Sequence, residues 1–208
     1  MNSIVSKSSL ILGLFALATT FVVTITHQLT APEIAKQQEL ATLANLNAII
    51  PNTLYSNNLT QDCIITTDQF NNPIKVFRAR NDTNENIALA IEAIAPDGYS
   101  GRIDLLVAID FNGRVLGTRT IKHTETPGLG DKIEIEKSDW ITSFNGKSLK
   151  ADDDPNWKVK KDGGMFDQFT GATISPRAVV KSVKRTLTWY ELNKKDLYNQ
   201  AINCGDKA

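Results

Sequence analysis

The chain has 208 residues, enough for one domain with appendages. Its 23 basic and 23 acidic residues cancel, so no net field draws it to nucleic acid. Aromatic residues make up only 7% and no basic patch is interleaved with them, which excludes a nucleic-acid-binding surface.

From Ser8 to Gln28 there is no Lys, Arg, Asp or Glu, and Leu10 through Ile25 is apolar. That length suits a bilayer-crossing helix, predicted over 9–29. Lys7 and the amino terminus precede it, so charge bias leaves residues 1–8 in the cytoplasm and the bulk of the chain across the membrane, with lipid as a partner. The rival reading is a cleaved signal peptide, for which Ala16 and Ala18 offer small residues. Residues 30–59 read as a helical linker. Pro32 suits a first helical turn, and Ile34, Ala41, Ala44 and Ala48 form a narrow apolar stripe. Pro51 to Gln61 reads as an Asn-rich loop.

Strand signals follow at Cys63–Thr67, Ile74–Arg80, Ile87–Ala95, Ile103–Asp110 and Val115–Lys122. Asn112-Gly113 between the last two is a strong hairpin signal. Ser138-Asp139 caps a short helix through Trp140, Ile141 and Phe144, and Trp157–Lys160 reads as one more strand. The fold class is α+β: a curved, mostly antiparallel sheet with flanking helices, over 60–193, followed by a polar tail at 194–208. Cys63 and Cys204 either pair, in an oxidising compartment, or are free buried thiols. Neither has metal-ligand spacing with a histidine, so no metal site is expected.

The most informative stretch is Asp167 to Pro176. Ser175 suits an N-cap and Pro176 the first helical position. Val179, Val183, Leu187 and Tyr190 give the helix one apolar face, and Arg177, Lys181, Lys184 and Arg185 make much of the rest basic. A helix N-terminus attracts phosphate, whereas a cation in the first turn, Arg177, opposes the dipole and calls for a nearby anion. Gly171 and Ala172 keep the turn thin ahead of Thr173. The turn chemistry alone leaves two readings open, a capping turn with a spare threonine or an anion site.

The wider string Asp167-x-x-Thr170-Gly171-Ala172-Thr173 resembles the flavinylation motif of the FMN-binding domain family. The resemblance implies covalent FMN, joined by a flavin transferase through a phosphoester to Thr173, with Asp167, Thr170, Gly171 and Ala172 as recognition residues. Glu125-Thr126-Pro127-Gly128-Leu129-Gly130 is similar to the family string that lines the flavin. It implies that Glu125 accepts from a flavin N–H, that Leu129 lies on the ring, and that Thr126 belongs to the same loop. Ala95–Gly101 and Lys160–Gly164 look like the G-type subunits of the Rnf (Rsx) ion-translocating electron-transport complexes, more than the related C-type subunits of the sodium-pumping NADH:quinone reductases. This implies an electron-transfer subunit in the bacterial inner membrane, with 60–193 as a periplasmic FMN-binding domain and the other Rnf subunits as partners.

Apart from that resemblance, the chain offers little enzyme chemistry. His123 beside Glu125 reads either as an acid–base pair or as a polar contact. No Ser-His-Asp order or Gly-x-Ser-x-Gly is present, and Gly163-Gly164 lacks dinucleotide-binding spacing. Independent activity is not expected. The alternatives are a membrane-tethered, non-redox binding module and a stand-alone flavin reductase.

Overall fold

A computed structural model describes residues 2–151 and 153–204. The chain divides into two compact units, Met1–Thr42 and Leu43–Ala208.

The first unit is helical. Helix α1 spans Asn2–Ile49, and its exposed apolar run, Leu10 to Val23, is long and apolar enough to cross a membrane. The hydroxyls of Thr19, Thr26 and Thr30 donate back to carbonyls one turn earlier, so these side chains carry their own partners within the helix. Pro32 does not start a new helix, as its sequence position suggests. It lies inside α1, where it forfeits one backbone hydrogen bond.

The second unit is built on five antiparallel strands, β1 (Cys63–Thr67), β2 (Pro73–Arg80), β3 (Asn86–Gly98), β4 (Gly101–Asp110) and β5 (Val115–Lys122), in simple meander order. Alternation gives the sheet two buried faces. Leu89, Ile91, Ile103, Leu105 and Val107 pack against helix α2 (Ile174–Asn199) through Val179, Val183, Leu187 and Tyr190, the predicted face. The opposite face is built from Ala79, Ala88, Ala90, Leu106 and Ala108, small enough for Leu46, Ile49 and Ile50 to lie close. A side chain at Gly117 would meet Ile49 Cβ at 2.8 Å. The stripe expected on the linker is therefore misassigned: Ile34, Ala41, Ala44 and Ala48 are exposed. Burying Leu46 and Ile49 removes more apolar area than burying alanines, at about 1.5–3 kcal/mol for each full-sized side chain.

Asn112-Gly113 makes the β4–β5 hairpin through a three-residue loop: Gly113, at φ +80°, donates to the Asp110 carbonyl, and Asp110 N–H donates to the Arg114 carbonyl. Ser138 Oγ accepts from Trp140 N at 3.2 Å as expected, but the helix that follows, Asp139–Phe144, is 3-10. Trp157–Lys160 is not a strand. It makes one bridge, Val159 to Phe166, because Trp157 turns into an aromatic cluster with Phe144 and Phe166.

Helix α2 crosses the boundary predicted at 193/194. Helix α2 runs on to Asn199 with Leu197 and Tyr198 buried, and Cys204 is disulfide-bonded to Cys63. Asn203 then covers the edge strand: its Nδ2 donates to the Ile65 carbonyl at 3.0 Å and its Oδ1 accepts from Ile65 N–H.

Candidate functional site

The turn ahead of α2 is fixed from beneath. Phe169 is buried on Trp140, ring centroids 5.1 Å apart, and Trp140 Nε1 donates to the Asp167 carbonyl at 2.7 Å. Gly171, at φ +82°, supplies the left-handed conformation, and Ala172 N–H closes the turn onto the Phe169 carbonyl at 3.1 Å. Helix α2 begins two residues earlier than expected. Thr173, not Ser175, holds the N-cap position, and its side chain makes no capping hydrogen bond. Pro176 still falls in the first turn, where a missing N–H is harmless.

Ser175 is diverted because its hydroxyl donates to Oε2 of Glu125. The anion that Arg177 called for is a carboxylate of the chain itself. Asp162 receives Nε at 2.6 Å and Nη2 at 2.9 Å, and this hydrogen-bonded guanidinium holds the Asp162 carboxyl below its ordinary range.

The second wall is the loop after β5. Gly128 is at φ +76°, and the amides of Leu129 and Gly130 turn back to the Thr126 carbonyl. A side chain at Gly130 would meet Ser175 Oγ at 2.6 Å, so only glycine lets the loop and the helix start approach this closely. Glu125 is 4% exposed. Its carboxylate accepts Ser100 N–H at 2.9 Å, Tyr99 N–H at 3.3 Å and the Ser175 hydroxyl. Three donors from the protein satisfy this buried group, as burial demands. Glu125 is therefore a clamp between walls.

Loop and turn enclose a cavity of about 250 Å³. It gathers Glu125, Thr126 and Leu129 from the one string and Gly171, Ala172 and Thr173 from the other. Asp167 and Thr170 lie outside it and are exposed, Asp167 pairing with Lys160 at 2.6 Å. Tyr99, Ile174 and Ser175 also line the cavity and were not foreseen. The signal for Tyr99 was its place in a two-residue turn between Gly98 and Gly101, the paired ends of β3 and β4. His123 does not pair with the carboxylate of Glu125; its Nε2 lies 2.5 Å from Oε1 of Glu134.

The donor set fits a phosphorylated flat ligand. An uncapped hydroxyl stands at the positive end of a 26-residue helix, and Tyr99, Leu129 and Ile174 present exposed apolar surface around the mouth. At about 250 Å³ the cavity is slightly below the roughly 300–1,000 Å³ of ligand pockets, so a three-ring ligand would fill it and protrude.

Residues 98–188 match the FMN-binding domain family, and residues 1–49 match the RnfG N-terminal region. The G-type subunit of the ion-translocating oxidoreductase complex from Shewanella loihica is 48% identical over 207 residues, 98% of this chain and 97% of that one. The protein of the same name from Vibrio cholerae is 45% identical, covering 98% and 99%. The crystal structure of Shewanella oneidensis NqrC aligns with 76% of this chain and 77% of its own at 20% identity, with a TM-score of 0.49.

Proposed function

The chain belongs to the family of G-type subunits of ion-translocating oxidoreductase complexes, and from that premise we propose that it is an electron-transfer subunit carrying FMN esterified through its phosphate to Thr173. The observation that carries this reading is the uncapped Thr173 hydroxyl at the start of α2, on the rim of a cavity shared with the Glu125–Gly130 loop. The helix N-terminus stabilises negative charge on a phosphoryl group there. Leu129, Ile174 and Tyr99 supply apolar surface that excludes water from a flat ring, and Glu125 keeps the walls in register. FMN, when bound, supplies one- and two-electron redox chemistry. A phosphoester to Thr173 prevents loss of the cofactor to an aqueous compartment. Asp167 and Thr170, exposed beside the turn, suit recognition by a flavin transferase rather than contact with the ring.

In this reading residues 9–29 anchor the chain in the bacterial inner membrane, the folded unit lies in the periplasm, and the other Rnf subunits are its partners. The run of exposed apolar side chains from Leu10 to Val23 supports the anchor. The test is the intact mass of the full chain co-expressed with a flavin transferase. The expected result is an addition of FMN less one water, lost in Thr173→Val while the far-ultraviolet spectrum stays that of the folded protein. A Thr173→Val chain that still carries the added mass overturns the attachment site.

A further inference from the structure

Glu125 clamps the cavity walls, and something must in turn fix Glu125. Its backbone N–H donates to Nδ1 of His123 at 3.0 Å. The other ring nitrogen, Nε2, lies 2.5 Å from Oε1 of Glu134, and the ring side chain is only 9% exposed. A nitrogen that accepts an N–H carries no proton of its own. The arrangement therefore needs a neutral imidazole with its proton on Nε2, donated to Glu134. His123 follows the last residue of β5, and Glu134 follows the 3-10 turn Gly130–Ile133. Their contact closes the base of the loop that carries Glu125, Thr126, Leu129 and Gly130.

We propose that His123 is a positioning residue of the cavity. Anchored by Glu134 in its Nε2-protonated form, it orients Glu125 so that the carboxylate ties the Tyr99-Ser100 turn to Ser175, two residues beyond Thr173. A surface polar contact would leave one ring nitrogen to water; here both are used, and the acceptor geometry from side chain to the amide two residues on is that of an Asx-turn. The consequence for flavin rests on the reading that Thr173 carries it, but the clamp itself does not.

The full chain in detergent micelles separates the two. In the unflavinylated protein, ¹⁵N shifts of the His123 ring should show Nδ1 bare and Nε2 protonated. Amide exchange at Glu125, Tyr99 and Ser100 should rise about tenfold or more in His123→Phe, as loss of a hydrogen bond implies, with β4 core amides unchanged. His123→Asn, whose Oδ1 can take the place of Nδ1, should restore protection at Glu125. His123→Gln, which reaches toward Glu134 instead, should not. In the flavinylated protein, the visible spectrum of His123→Phe should move toward that of the denatured chain, and His123→Asn should recover it at unchanged mass. An Nδ1-protonated ring, or wild-type exchange and spectrum in His123→Phe, overturns the proposal. A wild-type chain without added flavin mass would instead sink the attachment reading and leave the exchange results to decide this one.

Discussion

The two ends of α2 are treated in opposite ways. At the C-terminal end, Arg78 donates Nη1 to the Gln200 carbonyl at 2.6 Å and Arg80 donates Nη2 to that of Tyr198 at 3.1 Å. Asp62 holds both guanidiniums, at 2.6 and 2.8 Å, and the Cys63–Cys204 disulfide fastens the chain beyond. Cations sit where the helix dipole wants them, and the carbonyls of Leu197, Tyr198 and Gln200 are taken. At the N-terminal end no acidic residue occupies the first turn, no side chain caps it, and its cation is bound by Asp162. In the proposed reading, a helix with its negative end engaged and its positive end uncapped puts stability at one end and ligand chemistry at the other.

If that division holds, changes at the C-terminal end should cost stability and spare the flavin. The largest is Cys204→Ser. The disulfide closes a sequence separation of 141 residues, worth about 5 kcal/mol in the chain-entropy account. Urea unfolding should show a loss of that order, with the mass addition at Thr173 retained. Next is Arg78→Met. The side chain is 3% exposed, and removing it strands helix-end carbonyls and half of the Asp62 partnership. The cost should be about 3 kcal/mol, since Arg80 still holds Asp62. For a unit of this size the melting temperature should fall by roughly 6–12 °C. Either variant losing the attached flavin while still folded would break the contrast.

The same contrast marks what the sequence could reveal. All five strands, the apolar face of α2 and the anchor were legible because periodicity reports burial one element at a time. The two strings that meet in the cavity were legible because each carries its own local chemistry. The tail after Asn193 was not, because Lys194, Lys195 and Asp196 mask the buried Leu197 and Tyr198, whose carbonyls are held by Arg78 and Arg80 more than a hundred residues earlier. The clamp made by Glu125 was hidden for a similar reason. The donors its carboxylate accepts, the amides of Tyr99 and Ser100 and the hydroxyl of Ser175, are all distant in sequence. Ser175 read as an N-cap by residue type, and its partner 50 positions away drew it elsewhere.

Changes at the N-terminal end should show the reverse, with small losses of stability and clear effects on the flavin. Gly171→Ala forces an L side chain to φ +82°, with Leu129 Cδ2 3.6 Å from the new Cβ. The left-handed strain should cost about 1–2 kcal/mol. Flavin attachment should fall as the turn relaxes, read from the intact mass. A variant that attaches flavin as the parent does would show that the turn's conformation is dispensable.

The smallest effect concerns Asp162. Its carboxyl is held below the ordinary range by the hydrogen-bonded guanidinium of Arg177, so the native group loses its proton more readily than the unfolded one. The sign follows. The pair's contribution is fully present above the unfolded aspartate value, about 4, and disappears as pH falls through the lowered native value. Melting temperatures of the parent and of Asp162→Asn should therefore differ slightly near neutrality, because the pair is half-exposed and screened. They should converge as the solution is acidified below about pH 4. Parallel curves with no convergence would mean that Arg177 draws nothing from Asp162, and the open end of the helix would then owe its shape to the Ser175–Glu125 contact alone.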